Sequence, residues 1–452
     1  MTNKDCSFAF SHFRVFAIAV VLWVATAAGL PAQQLTAIRA GRLFDVAKGQ
    51  VLQNQVILIR NDRIIAIQDG SAPIPAGARL IDLSNSSVLP GLIDCHTHLI
   101  GDLQSSDVLA PLKTTAEQDF ASGVANARIT LFAGFTTVRD VGTYRGFLDV
   151  ALRDSIASGA VPGPRMLVAG AYVTVRGGGG EVTGDTTVAI PADMRRGVAN
   201  GVTEVRQRVD EILDHGADWI KVIATGAVLT QGTDPGQSEY SEAEIRAAVE
   251  EAAKRGKWVA AHAHGAEGVK RAVRAGVRSI EHGSLMDDEG VRLMAERGTW
   301  LVADIFNGDY IAGEGRKQGW PADILRKNDE TTETQRVAFR KALAAGVHIA
   351  YGTDSGVYPH AMATAQLPYM VRYGMTPMQA VQSATISAAR LLGMEDRIGS
   401  LAPGKQADLI AVPGDLEAEL QALAGLGSGQ YRVIEVPFVM QGGVVVKDGA
   451  HR

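Results

Sequence analysis

SEAEIRAAVEEAAKRGKWVAAHAHG, residues 241–265, carries one complete repeat of the fold. Ile245, Ala248, Val249, Ala252 and Ala253 fall on one face of a 3.6-residue period, which predicts an amphipathic helix over 241–255. Ser241 followed by Glu244 reads as a capping box at its start. Gly256 closes it, since glycine enters the left-handed region without a Cβ clash. The apolar run 258–261 then reads as a buried strand, and His262 stands at its C-terminal end.

The same punctuation recurs on either side. A glycine followed by a short apolar run appears at Gly134, Gly216, Gly276, Gly298 and Gly346. Repeated helix–glycine–strand units predict a parallel sheet with outer helices, and their number favours closure into a (β/α)8 TIM barrel spanning 90–398. Thr376-Pro377-Met378-Gln379 opens a later helix, with a cap, a proline at the first helical position and a glutamine reaching back. Outside the barrel the pattern is strand-like. Segments 51–59 and 63–67 are rich in β-branched residues, with the turn Asn61-Asp62 between them. Segments 407–412 and 436–446 are alike, with Gly442-Gly443 as a turn. We expect one small β-sandwich domain made from both chain ends, 33–89 and 399–452. The glycine run 176–181, RGGGGE, is expected to be a mobile loop.

Composition narrows the function. The chain has 452 residues, 46% hydrophobic and 21% charged, which is enough apolar material for a large core. Its formal net charge of -5, without a basic block, argues against nucleic acid as a partner. Residues 1–32 read as a secretory signal peptide: Lys4 and Arg14, an apolar run over 15–30, and the small-residue site Ala25-Thr26-Ala27. An uncleaved membrane anchor is the alternative. Cleavage implies a periplasmic or secreted protein with no membrane association, and leaves Cys95 as its only thiol.

The chemistry concentrates at strand ends. In Gly91-Leu92-Ile93-Asp94-Cys95-His96-Thr97-His98, the two histidines lie two apart on a strand and so face the same way. His262 and His282 end two further strands, and Asp354 ends another in Tyr351-Gly352-Thr353-Asp354. Barrel active sites lie at the C-terminal ends of strands. Four histidines and a carboxylate arriving there in register point to bound divalent metal. Zinc suits these ligands, although other first-row ions compete. Lys221, inside the apolar strand 217–223, admits two readings. It is a structural lysine reaching the rim. Or burial beside cations makes it a neutral amine, which carbon dioxide converts to an anionic carbamate.

Together, G-L-I-D-x-H-T-H, W-I-K-V, A-H-A-H-G, S-I-E-H-G and Y-G-T-D-S-G resemble the amidohydrolase superfamily. The resemblance is to the branch with imidazolonepropionase-like enzymes, Xaa-Pro and Xaa-Arg dipeptidases and ochratoxinase-type amidases. The tail 399–409, GSLAPGKQADL, also matches that family's return into its β-domain. The resemblance implies that His96, His98 and Asp354 hold one metal ion, that His262 and His282 hold a second, and that carboxylated Lys221 bridges them. It implies that His264 faces substrate, and that Asp354 moves a proton from the attacking water to the leaving nitrogen. Tyr310 and His360 are further candidates for substrate contact, His360 equally for a structural role. Relatives carry a histidine in the glycine-rich loop, and this chain does not. Arg176 there either binds a substrate carboxylate or is a solvated loop cation.

These readings imply hydrolysis of an amide C–N bond in small peptides or N-acyl amino acids, ochratoxin-like aromatic amides included. Hydrolysis of a cyclic amide, lactone or carbamate is the alternative, and a non-catalytic secreted binding protein is the rival of another class. Small molecules are the expected partners, with a homo-oligomer common among such proteins.

Overall fold

Strands from both ends of the chain meet in a single sheet. The structure is a computed structural model that describes residues 35–101, 107–427 and 429–449. The signal-peptide reading of 1–32 therefore lies outside the described residues. Four strands open the described chain: β1 (Leu35–Asp45), β2 (Gln50–Arg60), β3 (Arg63–Asp69) and β4 (Arg79–Pro90). Nine shorter ones follow: β5 (Leu92–Thr97), β6 (Phe135–Asp140), β7 (Arg165–Val168), β8 (Tyr172–Val173), β9 (Trp219–Ile223), β10 (Trp258–Gly265), β11 (Ser279–Leu285), β12 (Trp300–Val302) and β13 (Ile349–Ala350). The last are β14 (Leu409–Pro413), β15 (Phe438–Gln441) and β16 (Val444–Asp448).

The terminal strands form a seven-stranded mixed sheet in the order β16-β15-β14-β4-β1-β2-β3. β4 joins the two chain ends, running parallel to β1 and antiparallel to β14. Ile38, Ile57, Leu83, Leu409, Phe438 and Met440 share one buried cluster, so neither end could close this core alone. The β2–β3 turn uses Asn61 at φ +54. The β15–β16 turn lies against it so closely that a Cβ on Gly443 would meet Asn61 O at 1.9 Å.

The middle of the chain is α/β with all-parallel strands, in arcs β5-β6-β7 and β13-β12-β11-β10-β9-β8. Residues Ala169, Gly170 and Ala171 interrupt one strand path. Its first half, β7, pairs with β6, and its second half, β8, pairs with β9. At the other seam Cys95 N–H donates to Tyr351 O at 2.8 Å, and Thr97 bridges Ser355 in parallel sense. The arcs thus follow one another around a ring, the arrangement of a (β/α)8 barrel. The six glycines expected between helices and strands all have positive φ. The capping boxes at Ser241 and Thr376 both form. Among the described residues no helix is long and apolar enough to cross a membrane.

Residues 176–181 differ from expectation. The run is pinned rather than loose. Gly179 N–H donates to both carboxylate oxygens of Glu239 at 2.9 and 3.0 Å, and Gly180 N–H to Thr174 Oγ1 at 3.2 Å. The anchor is a carboxylate 60 positions away, which a local reading of glycine content does not see.

Candidate metal centre

Register brings the histidines together. His262 and His264 lie two apart on β10, on its inner side, and the neighbouring strand places His282 opposite Ala263. Lys221 pairs with Ala260, one step deeper in the ring. β5 delivers His96, with His98 just beyond its end. All of these side chains are buried, as is Asp354. His96, His98 and Asp354 each bring a donor atom within 4.8 Å of the others, and so do His262, His264 and His282. His96 and His282 stand 4.9 Å apart between ring centres, so the two sets are continuous. Lys221 lines the same cleft, which holds about 790 Å³ of empty space partly open to solvent.

The imidazoles are held from behind. His96 Nδ1 lies 2.8 Å from Glu281 Oε2, His98 Nδ1 2.9 Å from Gly142 O, and His282 Nδ1 3.0 Å from Asp304 Oδ1. His262 instead uses Nε2, 3.2 Å from Gly226 O. Carbonyls and carboxylates only accept, so each of these nitrogens carries the proton. The other ring nitrogen then keeps its lone pair. Nε2 of His96 and of His98 approach Asp354 Oδ1 at 3.4 and 3.3 Å. A ring fixed through one nitrogen with a free lone pair on the other is the form a metal needs.

Electrostatics act on the rings in opposite directions. Burial, then neighbouring His282, pulls His262 well below its ordinary value, and takes His264 down to about 3. Both rings are neutral at pH 7. Burial opposes the charge on His282, but Asp304 outweighs it and lifts the ring. Burial would raise Asp354, yet the proximity of His96 and His98 holds the carboxylate well below its usual range. Burial pushes Lys221 down to about 8, against the pull of Glu281 and Asp354. Two non-glycine residues of the site, His282 at φ +71 and Asp354 at φ +56, sit in the left-handed region. Such strain costs about 1–3 kcal/mol each and gathers at functional sites. Buried donors and fixed tautomers fit bound divalent metal.

Sequence reasoning passed over several members. Asp304 ties the two halves together: beyond His282 it accepts from Gln335 Nε2 at 2.7 Å and from Asn307 Nδ2 at 3.0 Å. Asn307 Nδ2 also donates to Asp354 Oδ2 at 3.0 Å. Glu281, behind His96, is paired with buried Arg139 at 2.7 Å, and Arg139 stacks over Trp219 at 4.6 Å. Tyr172 Oη donates to Gly142 O at 2.9 Å beside His98.

Three of the expected substrate contacts fall elsewhere. Arg176 is exposed and does not line the cleft, because the pinned glycine run faces Gly179 and Gly180 inward instead. His360 is buried outside the cleft lining, with Nδ1 turned to Ser355 Oγ at 3.1 Å. Tyr310 packs in the core against Tyr358 rather than on the cleft wall. His264 does line the cleft, its Nδ1 2.8 Å from Ser284 Oγ.

Comparison with known proteins places this arrangement. Residues 87–445 match the Amidohydrolase family, and the chain belongs to it. Ochratoxinase of Aspergillus niger is 33% identical over 403 residues, covering 84% of this chain and 81% of that one. A solved Xaa-Pro dipeptidase with methionine bound in its active site superposes with a TM-score of 0.82 at 37% identity, over 92% of this chain and 100% of the other. The crystal structure of A. niger ochratoxinase gives a TM-score of 0.79 at 28% identity, over 92% and 96%. The fold is that of the amidohydrolases, and membership implies a hydrolase, with the candidate metal-binding His/Asp groups in its cleft.

Proposed function

We propose that this hydrolase cleaves the amide C–N bond of N-acyl amino acids or small dipeptides, aromatic amides of the ochratoxin kind included, with two divalent metal ions. One observation carries the reading: His96, His98 and Asp354 form one buried donor set, His262 and His282 form a second beside His264, and all share a cleft with Lys221. The substrates named for its relatives, an ochratoxin and Xaa-Pro dipeptides, are both amides. Two ions bound there would supply polarisation of the carbonyl and a water acidic enough to attack at neutral pH, and zinc suits the ligands.

The chain's own groups do the rest. Asp354, ionised at neutral pH, accepts the proton of the attacking water and returns it to the leaving nitrogen. Asn307 fixes the Oδ2 side of that carboxylate, leaving Oδ1 toward His96 and His98. Ser284 can donate to His264 Nδ1, which leaves His264 Nε2–H to donate to the carbonyl oxygen. Lys221, lowered to about 8, is available as a neutral amine. Its nitrogen would add to carbon dioxide with loss of one proton, giving an anionic carbamate able to serve as a further ligand.

The test is a panel of N-acyl amino acids and dipeptides, assayed with and without chelator while metal content is measured. Hydrolysis that chelation abolishes and zinc restores is expected. Bound metal without turnover on any acyl amide would count against the reading. We also propose export directed by residues 1–32. An exported protein that retains Met1 would contradict cleavage there.

A further inference from the structure

Lys327 is a cation placed where cations are costly. Its side chain is 0% exposed, yet it does not line the cleft. The ammonium points at one loop, with Nζ 2.8 Å from Thr230 O, 3.2 Å from Ala227 O and 3.3 Å from Thr233 O. Asp323, one helical turn earlier, balances the charge at 3.1 Å. An ammonium has three N–H groups, and the three carbonyls and Asp323 share them. Two of those carbonyl-bearing residues, Ala227 and Thr230, face the cleft, as do Val228 and Leu229 between them.

The loop is tied at other points as well. Gly226, at its start, accepts from His262 Nε2, so the same backbone steadies a ring of the candidate centre. Thr230 Oγ1 donates to Gly179 O at 2.7 Å, which extends the restraint to the pinned glycine run. Val228 and Leu229 pack with Ile311, Trp320, Ile324 and Val357 in a small apolar cluster separate from the barrel core. Ile311 and Val357 also reach the cleft.

We propose that Lys327 is a positioning residue for substrate selectivity, holding loop 226–233 so that Val228 and Leu229 form the wall that receives the apolar part of the substrate. This rests on the hydrolase reading above. Without the ammonium, the three inward carbonyls lose their charged donor, Ala227 O and Thr230 O keep only the bonds from Thr233, and the loop swings toward water to regain hydrogen bonds. The apolar wall goes with it, and bulky groups lose a partner that small groups never used.

The experiment measures kcat and KM on N-acyl amino acids in which the acyl group, then the amino-acid side chain, grows from methyl to aryl. In Lys327→Met the preference for the bulky member should fall at least ten-fold, carried mainly by KM, with metal content unchanged. Val228→Ser/Leu229→Ser should reproduce the loss, and this variant decides alone where Lys327→Met does not fold. A uniform loss across the panel in Lys327→Met, or an intact preference in the double variant, overturns the proposal. A wild-type protein that turns over no member of the panel overturns the hydrolase reading first, and this proposal with it.

Discussion

The floor and the wall of the cleft are held by different means. On the floor, His96, His98, His262 and His282 are each braced by an acceptor from another strand or loop. The barrel sets their height and the outer partners set their rotation. The wall at 226–233 is irregular backbone tied by Lys327, by Thr230 and by a small apolar cluster. The floor is over-determined, so chemistry can persist while the wall varies. Selectivity then depends on a few contacts that can change without dismantling the centre.

The most severe way to break the floor is Asp354→Asn, which removes the proton acceptor and the anion beside His96 and His98. Turnover should fall about 10³-fold, within the range for a positioned proton-transfer group, with the circular dichroism spectrum unchanged. Asp304→Ala is the next largest. His282 Nδ1 loses its acceptor, and zinc affinity measured by titration of the apoprotein should drop about 10- to 100-fold, as for other outer partners of metal-binding histidines. An unchanged affinity would mean that Asp304 braces nothing.

Gly308→Ala probes the turn that carries Asn307, the brace of Asp304 and Asp354 at the edge of the floor. A Cβ there would meet Thr332 Oγ1 at 2.2 Å, forcing the turn Asn307–Tyr310 away from the helix Ala322–Ala344. The expected cost is about 1–3 kcal/mol, read from the urea midpoint, with metal content retained. The mildest test is Glu239→Gln. Burial, opposed by Gly179 N–H and assisted by nearby Glu181, lifts this carboxyl from 4.5 to about 7. The folded form therefore binds more protons than the unfolded form between those values, and stability declines as pH rises through them. Glutamine keeps an acceptor for Gly179 and removes the charge. Its thermal midpoint should exceed wild type above pH 7 and match it below about pH 4.5. A gain independent of pH would show that charge is not the cause.

The floor was legible because strand register is written locally. Histidines spaced by two, each closing an apolar run, must share a face and an end of the barrel. Asp304 obeys the same rule after β12, in Trp300-Leu301-Val302-Ala303-Asp304, and could have been found by applying it once more. Glu281 lay inside the S-I-E-H-G motif, but its role needs Arg139 and His96 as neighbours, which only the assembled strands supply. The wall was not legible. Lys327 reaches its loop across 97 positions to Thr230, and Asn307 reaches Asp354 across 47. Nothing in the local pattern around either announces the partner. Arg176 shows the same limit from the other side: the sequence left it either a carboxylate binder or a solvated loop cation, and only the long-range bonds that turn the glycines inward place it on the exposed side.

Metal stoichiometry on the purified protein after zinc reconstitution and dialysis tests the central claim most directly. About two ions per chain are expected, falling to one or fewer in His282→Ala. A catalytically active wild-type protein that holds none, or a His282→Ala variant that binds as much as wild type, would contradict it.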